Sequence, residues 1–238
     1  MGWRPRGAQH WARAVVPALF AIAAVGKGFH AAGELDHALS HPTTRAWLVV
    51  VYALLRTGVT LAFAVFTVGR SAPRSPSRSP VAFLACAAAI AAVLAFEQPA
   101  PSTPEGVLLA GELIAVASCV WLLVSVCFLG RCFGVLPEAR GLVRTGPYRF
   151  LRHPVYLGEM GACTGLALAA PSLLNASVLT MFFLAQAVRI RLEKRALTQA
   201  FPEYAVYAAQ TPRLLPRLWL VTHPTRMDRV LAKGRGSF

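Results

Sequence analysis

The chain has 238 residues, 56% of them hydrophobic and only 14% charged, with a formal net charge of +14. Soluble domains carry about a quarter of their residues as charges, so this composition excludes an ordinary soluble fold and leaves no room for a second soluble domain. The basic excess does not point to nucleic acid, because Lys and Arg fall in short segments between apolar runs, as in cytoplasmic loops facing anionic headgroups.

The N-terminal stretch "MGWRPRGAQHWARAVVPALFAIAAVG" has the basic start, apolar middle and small residues of a signal peptide. More apolar segments follow it, so it is read as an uncleaved first helix. Six such segments are expected, at 14–32, 46–68, 80–96, 106–130, 154–170 and 173–190, several of them near the roughly 20 residues a helix needs to cross a bilayer. The last two are short and joined by "APSLLN", which predicts a tight helical hairpin. The fold class is all-α: a polytopic membrane helix bundle followed by a cytoplasmic C-terminal helix.

Lys and Arg in the connections set the orientation. Arg4, Arg6 and Arg13 precede the first segment, and Arg45 stands almost alone in the next connection, near Glu34 and Asp36. "RSAPRSPSRSP" carries Arg70, Arg74 and Arg78, whereas 97–105 has acids and no base. Arg131, Arg140, Arg144, Arg149 and Arg152 come before residue 154, "APSLLN" has no charge, and the tail is strongly basic. The alternation puts both termini on the cytoplasmic side. "RSAPRSPSRSP" itself is poor in apolar residues and is expected to be a flexible loop without chemistry.

Cys86, Cys119, Cys127, Cys132 and Cys163 lie in or beside apolar segments, with no CxxC pair and no His at metal-ligand spacing. They read as small apolar fillers, with no disulfide framework and no metal site. Four ionisable groups fall within apolar segments, where charge is costly and usually faces an interior or a wet cavity. Lys27 and Glu112 are expected near the outer face, where snorkelling or mutual pairing suffices. Arg56 lies deeper, as a structural ion pair or a pocket residue. Glu159 is one turn into the fifth segment, near any site on the cytoplasmic side.

The chemistry-bearing stretch is "RGLVRTGPYRFLRHPVYLGEMG". Gly146-Pro147 signals a turn, and Pro154 suits the first turn of a helix, where its missing N–H costs nothing. His153 then precedes a helix N-terminus, whose free N–H groups and dipole favour an anionic ligand. Tyr156 follows in the first turn, and Gly161 with Gly165 forms GxxxG, which admits a close helix neighbour. Tyr and Arg here also suit a plain membrane-interface belt. In a second cluster, "VRIRLEKRALTQAFPEYAVYAAQTPRLLP", Arg189 and Glu193 are i and i+4 on a helix leaving the last segment. That pattern alone also fits an amphipathic surface helix with a weak ion pair.

Together, "LVRTGPYRFLRHPVYLG" and "RIRLEKRAL…EYAVY…TPRLLP" resemble the integral-membrane methyltransferases that include isoprenylcysteine carboxyl methyltransferase and the phospholipid methyltransferases. The resemblance runs over about residues 127–216. It implies N-terminal membrane helices over 1–126, a methyltransferase-like core over 127–216 and a basic tail over 217–238. It also implies S-adenosylmethionine held against Arg140, Gly141, Leu142, Val143, Tyr148, His153, Pro154, Val155, Tyr156 and Glu193. Arg189 matches the arginine that faces the methyl acceptor in the carboxyl methyltransferases. The acceptor implied is a hydrophobic small molecule or lipid, and the surroundings are membrane lipids rather than nucleic acid. Two departures stand out: Glu193-Lys194 replaces a frequent acid pair, and "FPEY" replaces a longer segment with FG.

In-line methyl transfer needs two reactants held aligned and dry. A carboxylate acceptor is already ionised at neutral pH and needs only a cation to place it, whereas an amine needs a base that this pattern does not offer. Two other readings compete. A sterol-type membrane reductase using a nicotinamide cofactor shares the "RHP" turn, but Val155 and "FPEY" replace its typical residues. A non-catalytic membrane protein of the same architecture is the other.

Overall fold

The computed structural model describes residues 6–215 apart from Pro76 and Arg78, with side chains described from Val15 onward. Arg4 and the basic segment 217–238 lie outside the described residues. Seven α-helices follow in order: α1 Arg6–Ser40, α2 Thr44–Val68, α3 Pro80–Leu94, α4 Glu105–Leu129, α5 Pro154–Ala169, α6 Leu173–Ala200 and α7 Tyr204–Gln210. Among the described residues there is no strand, only an isolated bridge between Ser75 and Ala139. The all-α membrane bundle is therefore the fold.

Helix starts follow local chemistry. Thr43 caps α2 by accepting from the Ala46 amide at 3.0 Å, and Ser172 caps α6 by accepting from Asn175 N at 3.0 Å. Four spans are long and apolar enough to cross a bilayer: Val15–Ser40, Thr44–Val68, Glu105–Cys132 and Leu173–Ala200. At 15 and 16 residues, α3 and α5 are shorter than the roughly 20 residues that usually cross a bilayer.

Two boundaries differ from the sequence expectation. The sixth segment does not end near 190 but continues to Ala200, so α6 is a 28-residue helix and only α5 is a short arm of the hairpin. Apolarity fades after Ile190, yet Leu, Glu, Lys, Arg and Ala all sustain helix. For the same reason α1 runs to Ser40, past Glu34 and Asp36.

The helices pack in the order α1, α2, α4, α5, α6, α3. Consecutive α2 and α3 thus stand at different places in the row, and both contribute walls to one internal cavity. The closest approach is α4 against α5. A Cβ at Gly165 would sit 2.5 Å from Ala115 N and from Gly111 O, and one at Gly158 would sit 2.8 Å from Leu122 Cβ. The neighbour admitted by GxxxG is α4. At the far end of the α5–α6 hairpin, fully buried Asn175 accepts from Glu97 N at 2.9 Å and donates to Ala170 O at 2.7 Å. This ties "APSLLN" to the α3–α4 connection.

Two expectations are corrected here. The first part of "RSAPRSPSRSP", Ser71 to Ser75, is held by backbone bonds: Ser71 N donates to Arg131 O at 2.9 Å, and Arg74 N donates to Ala139 O at 2.7 Å. Arg140 donates to Ser71 O, and Arg74 lies over the Phe201 ring at 4.9 Å. Composition shows side chains, not the backbone partners that hold this segment. Nor do Lys27 and Glu112 pair with each other. Lys27 donates to Thr60 Oγ1 at 2.8 Å, while Glu112 accepts from Arg45 Nε at 3.1 Å. Lys27 lies within α1, thirteen residues before its end at Ser40.

Candidate functional site

A cavity of about 510 Å³ opens between the helices and the loop that joins α4 to α5. That loop turns at Gly146, whose φ of 57° belongs to glycine and where a Cβ would strike the Phe128 ring. A 3-10 turn over Gly146–Arg149 follows, burying Pro147 and Tyr148. Tyr207 of α7 donates to Tyr148 O at 2.6 Å. Burial pushes the Tyr207 hydroxyl up to about 12, with Tyr204 adding to the shift, so it remains a donor across the neutral range. The backbone amides of Arg152 and His153 donate to Pro212 O at 2.9 Å and Arg213 O at 3.1 Å. The chain beyond α6 thus clamps the loop in place.

His153 is the residue before α5, Pro154 is its first, and Leu157 N donates to His153 O at 3.2 Å, as the sequence predicts. The imidazole is only 2% exposed, and its Nδ1 is buried without a hydrogen-bond partner. Burial first, then the charges of Arg152 and Arg213, lowers its pKa to about 3. The ring is therefore neutral at physiological pH, and its 4.0 Å approach to Glu193 Oε1 is not an ion pair. Glu193 also meets the Tyr156 hydroxyl, and its side chain keeps 27% exposure.

Arg189 does not pair with Glu193. Its NH1 donates to Gln186 Oε1 at 2.6 Å and to Glu159 Oε2 at 3.3 Å, and its NH2 donates to Val135 O at 3.4 Å. Gln186 in turn donates to Glu159 at 2.5 Å, and the guanidinium lies over the Tyr156 ring at 5.0 Å. This network fixes the arginine plane while leaving Nε buried and unpartnered. The amphipathic-surface reading of this part of α6 does not describe Arg189, whose side chain is 13% exposed. It does describe Arg191, which is exposed.

Of the residues singled out by the sequence, Gly141, Leu142, Val143, Tyr148, His153, Val155, Tyr156, Arg189 and Glu193 line this one cavity. Pro154 starts the helix behind it and donates no lining; its carbonyl accepts from Trp121 Nε1 at 3.0 Å. Arg140 does not line it either. Its guanidinium is turned to Glu138 at 2.5 Å and to Ser71 O. Sequence reasoning missed Gln186, an amide one turn before Arg189 within an apolar stretch. It also missed Lys27 as a lining residue. Arg56 lines the cavity as well, with its guanidinium over Tyr52 at 5.4 Å. Among the described residues no three His, Cys, Asp or Glu side chains stand together as a metal site.

A family match covers α4 to the start of α7, which supply part of this cavity's lining. Residues 105–204 match a family model described as phospholipid methyltransferase. Cobalt-zinc-cadmium resistance protein CzcN of Cupriavidus metallidurans is 44% identical over 80 residues, 33% of this chain and 37% of that protein. Nickel-cobalt-cadmium resistance protein NccN of Alcaligenes xylosoxydans xylosoxydans is 40% identical over 80 residues, 33% of this chain and 38% of that protein. The chain thus spans little more than a third of the length of these curated relatives.

Proposed function

We propose, from the premise that residues 105–204 carry the phospholipid methyltransferase family match, that this integral membrane protein transfers a methyl group from S-adenosylmethionine to a hydrophobic or lipid-like acid. The observation that carries the reading is the meeting, in one cavity, of a carboxylate that forms no ion pair with a charged partner within 4.0 Å and an arginine held in a fixed plane.

The residues fit the cofactor's charges. S-adenosylmethionine has a sulfonium and an ammonium for Glu193 to face, and polar groups for the orphaned Nδ1 of His153. Gly141, Leu142, Val143, Tyr148, Val155 and Tyr156 give it walls. Arg140 and Pro154 act on the loop and the helix start. When bound, the cofactor supplies a methyl group on a good leaving sulfur.

Arg189 orients the acceptor. Glu159 and Gln186 hold one edge of the guanidinium, and Nε is left to donate to a carboxylate oxygen. The acid needs no general base, so O-methylation requires only placement and exclusion of water. We take the site to face the cytoplasm, with both termini on that side, from the Lys and Arg alternation. Residues 127–216 then form the catalytic core and 1–126 the membrane helices that enclose the acceptor.

The test is transfer of isotope-labelled methyl from S-adenosylmethionine into a membrane lipid extract by the purified protein. A base-labile, ester-linked label supports the reading. Label in an amine redirects it to N-methylation, and label from reduced nicotinamide alone belongs to a reductase.

A further inference from the structure

Two cations in the cavity lie outside the segment that matches the family. Lys27 of α1 and Arg56 of α2 both line it. Lys27 lies within α1 Arg6–Ser40 and Arg56 within α2 Thr44–Val68, and each lies within electrostatic reach of the other.

Neither has an anionic partner. Lys27 donates to Thr60 Oγ1, whose own proton goes to Arg56 O at 2.8 Å, so the threonine can only accept from the amine. Arg56 rests over Tyr52. The Arg and Lys ion pairs among the described residues, Arg45–Glu112, Arg140–Glu138 and Arg189–Glu159, leave both out. Two like charges facing one cavity between apolar helices are costly unless an anion enters between them. A purely structural pair would place an acid beside them, as Glu112 stands beside Arg45.

We infer that Lys27 and Arg56 form a second anion subsite that takes a carboxylate or phosphate at the end of the acceptor remote from the methylated group. The identification of this ligand with the acceptor rests on the methyltransferase reading; the subsite itself does not. The anion arrives on a membrane-borne amphiphile or as a free small acid, and both present the same chemistry to the two cations.

The test uses the full-length protein in nanodiscs of zwitterionic lipid, titrated separately with palmitate, hexadecanol and inorganic phosphate. Palmitate is expected to bind the wild type and raise its unfolding temperature, while hexadecanol binds at least tenfold more weakly. The double variant Lys27→Met with Arg56→Met should lose palmitate affinity at least tenfold and unfold no earlier than wild type without ligand. Arg56→Lys should retain affinity within a few-fold. Phosphate binding that needs the same two cations also supports the subsite and identifies a free anion as sufficient. Equal palmitate affinity in wild type and double variant overturns it, as does absence of both palmitate and phosphate binding in wild type. A double variant that fails to fold while Arg56→Lys folds also overturns it, since the cations are then structural. S-adenosylmethionine titration of the same samples separates the two claims: cation-dependent palmitate binding without cofactor binding leaves the subsite standing and removes the methyltransferase reading.

Discussion

Arg189 and Glu193 stand one turn apart on α6 and take different partners. The guanidinium joins Glu159, 3.3 Å away on α5, while the Glu193 carboxylate lies 4.0 Å from a neutral His153. A helix pair at this spacing usually attracts itself on a wet surface. Here the arginine is held by another acid, and the second acid remains available to a cationic ligand.

This division predicts separable effects. Arg189→Lys should leave S-adenosylmethionine affinity nearly unchanged and cut turnover by roughly a hundredfold, the scale of a lost orienting contact. Lysine keeps the charge near Glu159 but not the planar fork. Arg191→Ala, on the exposed face, should retain turnover. Steady-state kinetics with calorimetry on the three proteins checks this; lost cofactor binding in Arg189→Lys contradicts it.

His153 makes stability depend on pH in one direction. Its folded pKa of about 3 lies below the ordinary value of 6.5, so the unfolded chain takes up the proton first. The contribution is fully present above about pH 6.5 and is lost progressively as pH falls towards 3. Unfolding temperatures from pH 7.5 to 4 should therefore fall less steeply for His153→Gln than for wild type. Parallel curves contradict the buried neutral imidazole.

Much of the site was legible because its signals are local. "RHPVY" combines a proline suited to a helix start with a histidine just before it, and both take those positions. The spacing of Arg189 and Glu193 put both on one face of a helix, and both line the cavity. What escaped was non-local or backbone-borne. Hydropathy falls after Ile190, which hid that the last apolar segment and the helix leaving it are one unbroken element. The place of Lys27 on the cavity wall was hidden as well, because it depends on how α1 packs against α2. The partner of Arg189 comes from α5, and nothing in the spacing of α6 reveals it.

The pinned connection between α2 and α3 gives a further expectation. Hydrogen exchange should be slowed at the amides of Ser71 and Arg74, which donate to Arg131 O and Ala139 O. Disrupting the anchor with Arg140→Ala should speed exchange at both positions. Fast exchange in the wild type would contradict the bonds from Ser71 and Arg74 to Arg131 O and Ala139 O.

Orientation is open to direct labelling. Single-cysteine variants at Ser77 and Ser102, at the two ends of α3, should react with an impermeant thiol reagent from opposite sides of sealed vesicles. Ser77 should be reached from the cytoplasmic side. Reaction of both from one side contradicts the membrane path of α3.

The most direct test of the central claim is calorimetric titration of the purified full-length protein with S-adenosylmethionine, beside His153→Ala and Glu193→Ala. The wild type should bind one equivalent, and each substitution should weaken binding by about 1–3 kcal/mol, the scale of losing a buried polar partner. No binding to the wild type, or equal affinity in all three proteins, contradicts the assignment of this cavity to the cofactor.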